Sequence, residues 1–359
     1  MPATIASIEQ LIAMKRTVAA RHPIVRRRKS VTKVLGALLM VSAIVISTLA
    51  WSGAAWTQEA NWPRSMTLGT ASPGGPYYAY GEGLARILTR TLHIEATAQV
   101  TQGPAQNIVL MEKKEAMLGF ITMGVGLQGW NGADWAKGIR YRSMRVIFPM
   151  YDTAFQFAAL KHLGIKSLDQ FAGLLIGVGP RAGTGGTYLP KIFKALAIPV
   201  SIRYGSWEDM KAQALAGEID AVVFVGGIPF PALVELNAAQ AVEFIEPSAE
   251  QVAIIRKELP EFSPSLVRKG MYPSLIADYA TIGLYNFAVA HKDLPDDFVY
   301  GVVKAVFENH AELVMAQLSA KETIPSNINR NTIFPLHSGA VRYYREVGVA
   351  LPPAALIGN

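Results

Sequence analysis

One order of elements occurs twice in this chain, and that duplication limits the possible folds more than any single motif. In the first copy a short strand (66–70), a turn (71–76) and a helix with apolar spacing at Leu84, Ile87 and Leu88 (77–90) lead into a second strand (93–100). A loop (102–105), a short helix (107–114) and a third strand (117–122) complete it. In the second copy a strand (174–178) meets a Gly-rich loop (181–186) and a helix (187–196), with Pro190 expected in the helix's first turn, where proline is tolerated. A strand (199–204), the loop Gly205-Ser206, a helix from Trp207 ended by Gly217, and a strand (219–225) follow. Gly75-Pro76-Tyr77 and Gly186-Thr187-Tyr188 hold matching places in the two copies. A strand–helix order used twice implies two related α/β lobes.

Two apolar segments, 150–160 and 281–290, read as long strands. They suit a chain that crosses to the second lobe and later returns. The predicted organisation is lobe 1 from 64–152 and 284–359, and lobe 2 from 153–283. The helical remainder, 295–318 and 339–347, should pack on lobe 1.

Charge is concentrated at the N-terminus. Eight of the 34 Lys and Arg residues lie in 1–33 against one acid, Glu9, which leaves 26 basic and 26 acidic residues in 34–359. The body is neutral, so the basic balance does not argue for nucleic-acid binding. Residues 34–58 carry no charge, and about 20 apolar residues cross a bilayer. The basic tail 1–33 should stay cytoplasmic and the body should be exported. Residues 34–56 read equally as a retained signal anchor, one hydrophobic helix, or as a cleaved signal peptide with small-residue sites near Ala50 and Ala54.

Most catalytic chemistries lack their residues. The chain has no cysteine, which removes thiolate nucleophiles, disulfides and cysteine-held metal. Its six histidines include no pair at ligand spacing, there is no G-x-S-x-G elbow, and no Lys-Ser/Thr follows a Gly loop. No catalytic residue, metal or cofactor is therefore expected. The two Gly-rich loops remain. Each joins a strand end to a helix start, where unpaired N–H groups and the helix dipole favour an anion. Glycine lets a ligand approach the backbone. Candidate ligand-binding residues are Ser72, Gly74, Gly75 and Tyr77 in the first copy, and Arg181, Thr184, Gly185 and Thr187 in the second. The expected mode is a small anion held by backbone N–H groups and the Thr184 and Thr187 hydroxyls, with Arg181 secondary.

Several segments together resemble the TAXI family of solute receptors of TRAP transporters. They are Leu68-Gly-Thr-Ala-Ser-Pro-Gly-Gly-Pro-Tyr-Tyr78, Thr101-Gln-Gly-Pro-Ala-Gln-Asn107, Val178-Gly-Pro-Arg-Ala-Gly-Thr-Gly-Gly-Thr187, Leu215-Ala-Gly-Glu-Ile-Asp-Ala-Val222 and His337-Ser-Gly-Ala-Val-Arg-Tyr-Tyr-Arg-Glu-Val-Gly348. The resemblance adds Gly103 and Asn107 to the candidate site. Pro76 and Pro104 depart from the family's usual Thr and Ser, and each removes an N–H donor. The resemblance implies a two-lobed α/β fold of the type II periplasmic-binding-protein kind with two crossover strands. It further implies a periplasmic or otherwise extracytoplasmic receptor for a small anionic solute, a carboxylate or an amino acid such as glutamate, which it hands to the membrane subunits of a TRAP permease. Two rivals share the cleft. One is a membrane-anchored ligand sensor or scaffold, and the other is an exported enzyme, which would need an acid–base pair facing the cleft.

Overall fold

The structure, a computed structural model, describes residues 61–356. The basic tail, the charge-free stretch 34–58 and the N-terminal helix expected at 34–56 lie outside the described residues. Among the described residues no helix is long and apolar enough to cross a membrane.

The first lobe opens with β1 (Ser65–Gly69), α1 (Pro76–Leu92), β2 (Glu95–Gln99), α2 (Pro104–Glu112), β3 (Leu118–Thr122) and α3 (Met123–Asn131). β4 (Met144–Leu160) carries the chain across to the second lobe. There follow β5 (Leu175–Gly177), α4 (Thr184–Ala195), β6 (Ser201–Arg203), α5 (Trp207–Ala216) and β7 (Ala221–Gly226). The lobe is completed by α6 (Pro231–Ala239), β8 (Val242–Phe244), α7 (Ala249–Glu258) and β9 (Ser263–Val267). β10 (Tyr279–His291) returns the chain to the first lobe, where α8 (Asp296–Glu308), α9 (His310–Ala316) and α10 (Ser338–Glu346) pack.

These strands form one sheet in the order β2-β1-β3-β10-β4-β7-β5-β6, with β8 on β4 and β9 on β10. β1 runs parallel to β2 and β3, and β5 runs parallel to β6 and β7. β4 and β10 run antiparallel to each other along most of their length. Their near-continuous apolar runs match strands covered on both faces. The register shifts between Tyr285 and Phe287 and again between Ala288 and Val289. Such irregularities bend a strand, and these lie where β10 passes from β9 in one lobe to β3 in the other.

Side-chain alternation along β4 and β7 builds two cores in the second lobe. Phe155, Phe157, Val223 and Val225 face one core, while Ala154, Ala158, Val222 and Phe224 face the other. The first lobe has its own core around Tyr80, Phe120, Tyr151 and Phe287, which the helices α8 and α10 cover. Ala105 and Val125, from α2 and α3, pack into a second-lobe core, so the lobes touch through apolar side chains as well.

The repeated element order appears as expected, with three differences. α2 starts at Pro104, because proline's fixed φ suits the first helical position. α4 starts at Thr184, so Gly185 and Gly186 belong to its first turn and Pro190 lies inside the helix rather than in that turn. The matching N-caps are consequently Gly75 and Gly183, three residues from the pairing of Gly75 with Gly186. The helix α3 was not expected, since three glycines in Met123–Asn131 lower its propensity.

Candidate functional site

The C-terminal ends of the parallel strands in both lobes point at the same place. In open α/β sheets that is where ligands sit. The loops after β1, β2, β5 and β6 meet there, together with the starts of α1, α2, α4 and α5. Between them lies an inner chamber of about 30 Å³, room for a water or two. Ala71, Pro76 and Tyr77 line it from the first copy, Gly103 and Pro104 from the second loop of that lobe. Pro180, Gly183, Thr184, Trp207 and Val225 line it from the other lobe, and Thr153 of the crossing strand β4 forms its floor. An outer chamber of about 420 Å³ adjoins it, sharing Gln102 and Pro180, and is lined also by Ser72, Val100, Arg181, Tyr204 and Ser206.

The lobes hold each other directly around this cleft. The Ala105 N–H donates to Ala182 O at 3.2 Å, and the Ala232 N–H donates to Gly74 O at 3.0 Å. The hydroxyls of Thr122 and Thr184 lie 3.1 Å apart, and the Trp207 N–H reaches Ser72 Oγ at 3.4 Å. Trp207 is the wedge in this contact. Its ring stacks on Phe224 and meets Phe230 edge-on. A Cβ added to Gly75 of one lobe would lie 2.8 Å from that ring, and one on Gly179 of the other lobe 2.4 Å from it. These two glycines therefore make room for an indole, beyond any role toward a ligand.

The floor is a buried hydrogen-bond chain. The Tyr77 hydroxyl donates to Asn286 Oδ1 at 2.6 Å. Asn286 Nδ2 donates to Tyr151 O at 2.7 Å and to Thr153 Oγ1 at 2.5 Å. Burial pushes the Tyr77 hydroxyl well above its ordinary value, so it stays protonated. Having accepted from Asn286, the Thr153 hydroxyl can turn its proton into the chamber. Trp207 aside, the lining groups able to hydrogen-bond are thus neutral hydroxyls, one amide and backbone.

The candidate residues divide into three groups. Gly75, Tyr77, Gly103 and Thr184 line the inner chamber. Ser72 and Arg181 line the outer one, where the Arg181 guanidinium lies 3.9 Å over the Tyr204 ring. The remaining four are not brought to either chamber. Asn107 is fully buried and ties β1 to β3, donating to Thr70 O at 2.8 Å and Phe120 O at 2.9 Å. The Thr187 hydroxyl bonds back to Gly183 O at 2.9 Å within its helix. Gly185 packs against β5's exit, where a Cβ would lie 2.5 Å from Val178 O. Gly74 adopts φ 79° beside α5, where a Cβ would lie 2.6 Å from Glu208 Oε1.

Sequence reasoning missed Thr153, Trp207, Tyr204 and Asn286. Thr153 carried a readable signal, a lone polar pair with Asp152 inside an apolar strand. Trp207 opened a helix directly after Gly205-Ser206, at a place matching the first loops, and could have been read as a lining residue.

Comparison with solved structures places this fold among periplasmic binding proteins. MatC (Rpa3494) from Rhodopseudomonas palustris, solved with bound malate, superposes with a TM-score of 0.55 at 12% identity, covering 80% of this chain and 96% of that one. The periplasmic binding protein BugD superposes with a TM-score of 0.52 at 13% identity, covering 80% and 97%. The architecture is the type II two-lobed one expected from the sequence. Residues 68–348, which span both lobes and every residue of the cleft, match the model of the NMT1-like family, and the chain belongs to that family.

Proposed function

We propose that this protein is an extracytoplasmic solute receptor, non-catalytic, which captures a small carboxylate or amino acid in the interlobe cleft and delivers it to the membrane subunits of a TRAP permease. The observation that carries the reading is the cleft itself. Two chambers lie at the strand ends of two lobes that are joined by the bent strands β4 and β10. A ligand there touches both lobes, so it favours the arrangement in which they meet, and hinge closure about two strands is the motion this connection allows. The lining supports binding over catalysis. Among the described residues around the inner chamber Tyr77 is the one titratable side chain, and its raised pKa and bond to Asn286 leave no acid–base pair. The TAXI-like segments support the permease partner, and the basic N-terminal tail before a charge-free stretch supports export.

A thermal-shift screen of carboxylates and amino acids on the full-length protein tests the reading. A true ligand at one hundred times its Kd should add about 2.7 kcal/mol of stability and compact the particle in small-angle scattering. A screen without any stabilising compound sinks the receptor reading. Co-purification with TRAP membrane subunits encoded beside it tests the permease step separately.

A further inference from the structure

The cleft is chemically split, and the split constrains its ligand. No Asp, Glu, Lys, Arg or His is among the described residues lining the inner chamber. Three of its walls, Pro76, Pro104 and Pro180, offer no backbone N–H. The apolar surfaces of Ala71, Trp207 and Val225 face the same space. A charge buried in such a place has no side-chain counter-ion, and burying an uncompensated charge is strongly unfavourable. That applies to a second carboxylate and equally to an α-ammonium. The outer chamber has the opposite character. Arg181 is exposed and is laid flat on Tyr204 beside Gln102 and Ser206, open to solvent on its free side. A planar guanidinium held by stacking presents its N–H edge to a carboxylate in two-point geometry.

We propose that the cleft is built for a monocarboxylate with a short, uncharged tail, its carboxylate on Arg181 in the outer chamber and its tail in the inner one between Trp207, Val225 and the Thr153 hydroxyl. This rests on the receptor reading of the cleft and narrows it, setting aside dicarboxylates and zwitterionic amino acids such as glutamate. It also moves the anion from the backbone of the two Gly loops, where Pro76 has removed a donor, to a side chain at the mouth. Each methylene that reaches the inner chamber should tighten binding about four-fold until the chamber is full.

Calorimetry on the full-length protein with acetate, propanoate, butanoate, succinate, glutamate and butanamide tests this. The expected order has affinity rising from acetate to propanoate and levelling off toward butanoate as the small chamber fills, with succinate and glutamate at least about ten-fold weaker than butanoate. Succinate or glutamate binding as tightly as butanoate overturns the proposal and leaves the receptor reading standing. Heat from none of the acids overturns both. Arg181→Gln, at an exposed position, should fold normally by its melting temperature. It should weaken butanoate about ten-fold and leave butanamide unchanged. Unchanged butanoate affinity in that variant overturns the assignment of the carboxylate to Arg181.

Discussion

Gly103 of the first lobe comes so close to Gly183 of the second that a Cβ built on Gly103 would lie 3.0 Å from the Gly183 Cα. The two residues are the N-caps of α2 and α4, so the lobes meet where two helices begin. Gly103 also has φ 108°, a conformation that side chains resist. Gly103→Ala adds a clash at the lobe contact to strain of about 1–3 kcal/mol in its own lobe. We expect ligand affinity to fall about ten-fold or more, with a melting temperature lowered by a few degrees. Calorimetry and a melting curve on the same sample check this, and wild-type affinity would show that the lobes need not approach so closely to hold a ligand.

Thr184 and Thr187 looked equivalent in the sequence and are separated by the structure. Thr184 lines the inner chamber and meets Thr122 across the cleft at 3.1 Å. Thr187 spends its hydroxyl on Gly183 O. Thr184→Val should weaken ligand binding by about three- to ten-fold, through a lost interlobe bond of about 1 kcal/mol. Thr187→Val should bind within about two-fold of wild type. Equal losses in both variants would put the ligand against the first turn of α4 and contradict the placement of the chambers.

Most of the architecture could be read before the structure because each piece rests on local chemistry. The apolar run of β4 and the glycine that ends α5 at Gly217, with φ 72°, are examples. The missed parts depend on the other lobe. Trp207 is a lining residue because Gly75 from the first lobe yields it space, and no spacing in the sequence records that meeting. Gly124 in α3 is similar, since a Cβ there would lie 2.2 Å from the Tyr188 hydroxyl of α4. Asn107 lies away from both chambers for the opposite reason. An asparagine after a Gly loop looks like a ligand group, yet three buried partners already hold it, both Nδ2 protons included.

Tyr77→Phe removes the donor to Asn286 Oδ1 at the floor of the cleft. The acceptor would then be left without that partner in a buried place, which costs about 1–3 kcal/mol. Chemical denaturation should show this loss without a change in slope, since the exposed surface on unfolding is unaltered. A wild-type midpoint would mean that Asn286 finds another donor when Tyr77 loses its hydroxyl.

Asp152 sits on β4 where the chain changes lobes, and each lobe supplies it with a neighbour. Ser265 of β9 donates its hydroxyl to the carboxylate, while the Asp152 N–H donates to Glu322 Oε2 at 3.3 Å. Gly283 of β10 faces it so closely that a Cβ there would lie 2.7 Å from the carboxylate oxygens. Burial pushes the Asp152 carboxyl from 3.8 up to about 6; Glu322 adds to the rise, and Ser265 and Arg330 oppose it. Glu322 is itself raised by burial, so the two acids resist ionising together. The folded protein therefore holds the Asp152 proton more tightly than the unfolded chain does. Between those two pH values the folded state binds more protons, so stability falls as pH rises through the window and the full penalty is present above it. Asp152→Asn keeps an acceptor for Ser265 and removes the charge. We expect it to be more stable than wild type at pH 7.5 by about 1–2 kcal/mol, with the gap narrowing steadily toward pH 4.5. Denaturation midpoints of both proteins across that range decide the matter, and a gap that does not change with pH would mean that Asp152 ionises as an ordinary carboxylate at the hinge.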